Sequence, residues 1–276
     1  MKQIADPVAH AAKLISAADG ILITAGAGMG VDSGLPDFRG DDGFWKAYPA
    51  LAEAGIGFES IASPQKFKRH PELAWGFYGH RLDLYRKTEP HKGFALLKAL
   101  ADKMPRNAFV VTSNVDGQFQ KAGFPEHRIL EIHGSIHHLQ CIEPCRQDIW
   151  SADEIEPYID EAKCLWRGGL PECPCCGGLA RPNVLMFYDA EWIPKRTARQ
   201  RESFERWQFS LKTMVVIELG AGTALPTIRR FSLSQGCPVI RIDPRNATLP
   251  PEAGVGLAMG ARQALALVAA KMGLEP

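Results

Sequence analysis

Ile21-Leu22-Ile23-Thr24-Ala25-Gly26-Ala27-Gly28-Met29-Gly30 is the stretch that decides the fold. An apolar, β-rich run that passes directly into alternating glycines reads as a strand buried on both faces, followed by a tight turn. Upstream, Pro7 to Ala18 is a short amphipathic helix with Val8, Ala11, Leu14 and Ile15 on one face, stopped by Asp19-Gly20. Downstream, Ala108 to Thr112, Arg128 to Ile132, Met214 to Leu219 and Val239 to Ile242 read as further strands. Helices are expected at about Pro71 to Arg86, His91 to Lys103, Pro194 to Lys212 and Gly260 to Met272. Strands alternating with helices predict a doubly wound, Rossmann-like α/β domain built on a parallel sheet, with its ligand beyond the carboxyl ends of the strands.

Composition narrows the class. The chain has 276 residues, 46% hydrophobic and 23% charged, enough apolar material for a sizeable core. With 32 Lys plus Arg against 31 Asp plus Glu, the net charge is +1, so no global field points to direct nucleic-acid or membrane binding. No apolar run approaches the roughly 20 residues of a membrane span, and the first twelve residues lack the pattern of a secretion signal. A cytoplasmic protein is expected, and in that compartment cysteines are kept as thiols.

Those cysteines cluster in the middle of the chain. Cys141-x3-Cys145 and Cys173-x2-Cys176 form two short-spaced thiolate pairs, which fit a closed tetrahedral, structural Zn²⁺ site. Cys164, Cys175 and Cys237 are left over, and Cys175 sits inside the second pair. The length allows one large domain or one domain with a smaller insertion, and this cysteine-rich middle reads as the insertion.

Four strand ends carry small or polar residues that can face one crevice: Gly26-Ala27-Gly28, Ser113-Asn114-Val115-Asp116, His133-Gly134 and Gly220-Ala221-Gly222. Glycines after the first strand allow backbone N–H groups to approach a diphosphate, and a following helix start would add its positive dipole end. The loop Ser33-Gly34-Leu35-Pro36-Asp37-Phe38-Arg39-Gly40 has the composition of a ligand cover. In one helix, Tyr78 and Arg81 are three apart and share a face, so that a phenol and a guanidinium can converge on a carboxylate.

Gly26 to Gly40 resembles the sirtuin pattern G-A-G-x-S-x-x-S-G-I-P-D-F-R-G at nearly every position. Thr112-Ser113-Asn114-Val115-Asp116 matches the family's T-Q-N-I-D, and His133-Gly134 its H-G pair. Cys173-Pro174-Cys175-Cys176-Gly177-Gly178-Leu179-Ala180-Arg181-Pro182-Asn183-Val184 matches its zinc segment. The resemblance spans roughly Gly20 to Asp243. It implies an NAD-dependent protein lysine deacylase that releases nicotinamide and O-acyl-ADP-ribose, with an acyl-lysine protein or peptide as partner. By the same resemblance, His133 is the base that takes a proton from a ribose hydroxyl, Asp116 holds the nicotinamide carboxamide and Asn114 lies near the ribose. Gly26, Ala27, Gly28, Asp37, Phe38, Arg39, Ser113, Gly220, Ala221 and Gly222 are expected to bind NAD. Tyr78 and Arg81 resemble the pair by which the desuccinylating branch reads succinyl- and malonyl-lysine. His137 and His138 are expected to serve in packing and surface contact at the start of the zinc module.

Departures from the pattern qualify this picture. Gly30 replaces a serine, Ser113 a glutamine, and Gly220-Ala221-Gly222-Thr223 the usual G-T-S. Asp243 stands where I-N-x-E is common and is expected to accept from the adenosine ribose, with Arg245 close by. Phe187-Tyr188-Asp189 replaces F-G-E. An alternative keeps the NAD pocket and delivers ADP-ribose to a protein side chain or to water. A purely NAD-binding module is the third reading, disfavoured because binding alone requires no base at His133.

Overall fold

The computed structural model describes residues 6–37 and 40–274. In chain order the strands are β1 (Gly20–Ala25), β2 (Ala108–Thr112), β3 (Ile129–Glu131), β4 (Gly134–Cys141), β5 (Trp150–Ser151), β6 (Ile159–Asp160), β7 (Leu165–Trp166), β8 (Ala180–Val184), β9 (Met214–Leu219), β10 (Val239–Ile242) and β11 (Gly254–Leu257). The helices are α1 (Pro7–Ser16), α2 (Gly40–Ala47), α3 (Pro49–Glu53), α4 (Phe58–Ile61), α5 (Pro64–Arg69), α6 (Pro71–Lys87), α7 (Lys92–Asp102), α8 (Gln118–Lys121), α9 (Lys195–Phe209), α10 (Thr227–Ser234) and α11 (Ala261–Lys271). No described helix is long and apolar enough to cross a membrane.

Six strands form one parallel sheet in the order β11-β10-β9-β1-β2-β3. Every residue of β1 is buried because strands flank it on both edges and helices cover both faces. The pleat sends Ile21 and Ile23 to one face, where they meet Val110, Ile217, Leu97 and Leu265, and Leu22 to the other, where it meets Phe109, Val216, Phe204 and Trp207. Each fully buried aliphatic side chain of this kind contributes about 1.5–3 kcal/mol. The chain builds outward from β1 to β3 and then returns to add β9 to β11 on the other side. The order reverses between β1 and β9, which is where a doubly wound sheet opens a crevice.

A third, aromatic core includes Phe44, Tyr48, Phe67, Trp75, Phe77, Tyr78, Tyr85 and Trp166. It joins α2 to α6 to the β4-β5-β8 sheet, and Trp75 Nε1 donates to the Ala180 carbonyl of β8 (2.9 Å).

The elements differ from the sequence reading mainly at their ends. A 3-10 turn, Glu126–Arg128, takes the start of the strand expected from Arg128, and α9 stops at Phe209 rather than Lys212. The glycine-rich turn leads not into an α-helix but into two three-residue 3-10 turns, Ala27–Met29 and Val31–Ser33, so no long helix dipole points at the crevice from this side.

Candidate active site

A cavity of about 540 Å³ opens at the switch point. The turns after β1, β2 and β3 converge on it: Gly26, Ala27, Ser113, Asn114, Asp116 and His133 line it, with Asp37 from the loop and Gly222 from the turn after β9. Tyr78 and Arg81 reach it from α6. Gly28, Gly220 and Ala221 sit behind the lining. Gly26 N–H donates to the Leu219 carbonyl and Gly28 N–H to the Gly220 carbonyl, both at 3.0 Å, so these amides stitch the two turns together. Gly220 has φ +55°, and a Cβ there would lie 2.2 Å from the Gly28 carbonyl carbon; only glycine permits this approach. Phe38 and Arg39 lie outside the described residues.

The polar residues are locked by local bonds. Thr112 Oγ1 donates to the Ala25 carbonyl (3.1 Å) and accepts from Asn114 N–H (3.0 Å), while Asn114 Nδ2 donates to the Gly26 carbonyl (3.0 Å). Asp116 is buried, and its Oδ1 accepts from Gln118 N–H (3.0 Å). Burial pushes its carboxyl up to about 6, against the opposing pull of the Gln118 N–H. Burial lowers the His133 pKa, partly offset by a hydrogen bond to the Ser113 backbone, which leaves a neutral imidazole at pH 7. Gly134, at φ +76°, lets the chain turn so tightly that a Cβ would lie 2.1 Å from the Asn183 carbonyl of β8. His133 is also tied to that side through its carbonyl, which accepts from Leu185 N–H (2.9 Å).

His137 packs beside the cavity, where its Nε2–H donates to the Asp116 carbonyl (2.9 Å) and so supports the turn that presents Asp116. One expectation is corrected. Asp243 does not present its carboxylate to the cavity. Its side chain is fully buried, Oδ1 accepts from Arg245 N–H (2.9 Å) and Asn246 N–H (2.8 Å), and Oδ2 lies 3.6 Å from Arg229 Nη2. It holds the turn after β10. Arg245 instead reaches Asp37 (3.3 Å) across the crevice. His138 faces a separate cavity beside Arg196 and Arg199, where burial and Arg196 bring its pKa down to about 4.

The loop after β8 supplies a wall the sequence reading left open. Leu185, Met186 and Phe187 line the cavity. Tyr188, at the position where the family pattern has glycine, sits in the left-handed region at φ +57° and donates through its hydroxyl to Glu59. Asp189 turns inward to Arg181, forming a fully buried, bidentate ion pair at 2.7 and 2.8 Å, and its Oδ2 also accepts from Met186 N–H (3.2 Å). Leu225, in the turn after β9, is exposed and also lines the cavity, and the sequence reading did not single it out.

Cys141, Cys145, Cys173 and Cys176 have their Sγ atoms all within 4.8 Å of one another. The pairs Cys141–Cys176 and Cys145–Cys173 are each 3.7 Å apart. A tetrahedron with Zn–S bonds of about 2.3 Å has an edge of about 3.8 Å, so the four sulfurs fit zinc and leave no open position. Cys175 is outside the set, which settles the second knuckle.

The model described as the Sir2 family matches residues 26–216. An NAD-dependent protein deacylase of Thermococcus kodakarensis is 34% identical over 216 residues, covering 78% of this chain and 74% of that protein. One of Aquifex aeolicus is 29% identical over 232 residues, covering 83% and 85%. Among solved structures, a complex of a Sir2 homologue with NAD aligns with a TM-score of 0.71 at 25% identity, over 95% of this chain and 93% of that one.

Proposed function

The chain belongs to the Sir2 family, and on that premise we propose that it is an NAD-dependent protein lysine deacylase acting on acyl-lysine side chains of protein substrates. One observation carries the reading: Ser113, Asn114 and Asp116 from the turn after β2 and His133 from the turn after β3 line one cavity at the switch point together with Tyr78 and Arg81 of α6.

We read the cavity as lying between the parallel-sheet part, about 1–40, 88–138 and 184–276, and the smaller part, about 41–87 and 139–183. The separate aromatic core supports that division. NAD, when bound, supplies the ribose carbon to which the acyl oxygen becomes attached. His133 acts as the base toward a ribose hydroxyl, a role that suits a buried, neutral ring. Asp116, ionised at pH 7 because its raised pKa of about 6 still lies below neutrality, accepts from the nicotinamide carboxamide. Asn114, fixed on the Gly26 carbonyl, shapes the ribose side of the site. Gly26, Ala27, Asp37, Ser113 and Gly222 form the NAD wall, and Gly28, Gly220 and Ala221 support it from behind. Tyr78 and Arg81 give the acyl end a cationic, hydrogen-bonding pole that favours succinyl- or malonyl-lysine over acetyl-lysine. Cys141, Cys145, Cys173 and Cys176 hold a structural zinc ion. Four reduced thiols in one site suit a cytoplasmic setting.

Incubation with NAD and matched lysine peptides bearing succinyl, acetyl or no acyl group tests the proposal by product mass. Nicotinamide release that requires the acyl group and yields O-acyl-ADP-ribose is expected. Release independent of acylation, with ADP-ribose on protein or in solution, would overturn it.

A further inference from the structure

The acyl end of the cavity holds a third residue outside the Tyr-x-x-Arg pair. Tyr78, Arg81 and Tyr85 lie at i, i+3 and i+7 on α6, along one stripe of the helix, and all three line the cavity. Arg81 donates to the Tyr85 hydroxyl oxygen twice along one edge of its guanidinium, through Nε at 2.9 Å and Nη2 at 2.6 Å. The group is further fixed against two ring faces, with its central carbon 5.2 Å from the Phe77 centroid and 5.4 Å from that of Tyr85.

We propose that Tyr85 is a specificity-determining residue of the acyl pocket, which both orients the Arg81 guanidinium and donates its own O–H to a carboxylate at the end of the acyl chain. A phenol oxygen that accepts two N–H donors has its acceptor capacity filled and keeps one function, the donation of its hydrogen. The Arg81–Tyr85 pair is therefore a pole of donors alone. An acyl group ending in a carboxylate supplies acceptors to it, whereas an acetyl methyl supplies none. Asp116 is the carboxylate whose field reaches Tyr85 from the NAD side, and its Oδ1 is engaged by Gln118 N–H. Burial keeps the Tyr85 phenol protonated even though the Arg81 charge favours its ionisation.

This proposal deepens the acyl preference inferred above and rests on it, so the test uses two variants. Tyr85→Phe keeps the ring over Arg81 and removes only the oxygen; Arg81→Met removes the cation. The readout is kcat/KM for succinyl-lysine divided by kcat/KM for acetyl-lysine on one peptide sequence at saturating NAD, with kcat and KM resolved. Tyr85→Phe is expected to lower that ratio at least tenfold, chiefly through a raised KM for the succinyl peptide. A uniform packing defect would lower both substrates together and leave the ratio within twofold, which overturns the assignment of Tyr85. A ratio that falls in Arg81→Met but not in Tyr85→Phe defeats this proposal alone. A ratio unchanged in both variants defeats the underlying acyl reading and this proposal with it.

Discussion

Removing Asp189 should destabilise the protein far more than its position in a partly exposed loop suggests. Both side chains of the Arg181–Asp189 pair are fully buried, and the carboxylate takes three donors: Arg181 Nη1 at 2.8 Å, Arg181 Nη2 at 2.7 Å and Met186 N–H at 3.2 Å. Without it, Arg181 keeps only a 3.3 Å bond to the Val184 carbonyl, and its Nε already has no partner. An uncompensated buried cation of this kind costs about 3–5 kcal/mol. Asp189→Ala, which deletes all three acceptor contacts, belongs near 4 kcal/mol, or roughly 10 °C in Tm at about 2–4 °C per kcal/mol. Asp189→Asn removes the same charge and turns an NH2 toward N–H donors, so it should cost about 3–5 kcal/mol as well. The double variant Arg181→Met/Asp189→Leu should recover most of the loss, because replacing both partners with apolar groups leaves no charge stranded. Thermal and urea unfolding of the four proteins measures this directly. Single variants within about 0.5 kcal/mol of wild type, or a double variant no better than Asp189→Ala, would refute the reasoning. Leu185 to Phe187 form the cavity wall just before Asp189, so the single variants should also raise KM for the acyl peptide more than for NAD.

Other expectations are as direct. Gly220→Ala places a methyl group 2.2 Å from the Gly28 backbone at a left-handed φ, so it should weaken NAD binding by at least tenfold while peptide affinity measured without NAD stays within twofold; calorimetric titration decides. Turnover should fall as pH drops through about 6, where Asp116 takes up a proton, and fall further as His133 protonates at its lowered pKa; a flat acid limb in kcat/KM down to pH 5 would contradict both assignments. Stability follows the histidines with its own sign. His91, His133, His137 and His138 all have lowered folded pKa values, so the native state binds fewer protons than the unfolded one below about 6.5, and Tm should decline with acid through that window.

Five strands of the large sheet could be read from the sequence: the edge strand β3, from Ile129-Leu130, and the four that have neighbours on both sides. β1, β2, β9 and β10 are short runs of Ile, Leu and Val, and their pattern needs no partner to be recognised. β4 and β8 were not legible as strands, because Gly134-Ser135-Ile136-His137-His138-Leu139-Gln140-Cys141 and Ala180-Arg181-Pro182-Asn183-Val184 look polar and broken. Their polar groups are matched only in three dimensions: Asn183 Nδ2 donates to Gln140 Oε1 (2.8 Å), and Arg181 finds Asp189. β11 was hidden by the two glycines in Gly254-Val255-Gly256-Leu257. The cysteine knuckles were legible because a metal imposes spacing along the chain, although only the fold shows that the 3.7 Å contacts cross between the knuckles. Asp243 misled because a carboxylate after a strand looks available until Arg229, Arg245 and Asn246 are seen to enclose it.

β4 begins at Gly134, directly after the imidazole, and ends at Cys141, a sulfur of the metal cage. It behaves as a strut roughly 25 Å long, with the His133 imidazole mounted at one end and the cysteine clamp at the other. None of the four clustered cysteines lines the cavity, yet slackening the clamp frees the far end of the strut and, with it, the register against β8 that holds the ring in place. Chelation should therefore register as a slow, noncompetitive loss of turnover that saturating NAD does not reverse, so that an ion with no part in the chemistry still sets how long the enzyme stays alive.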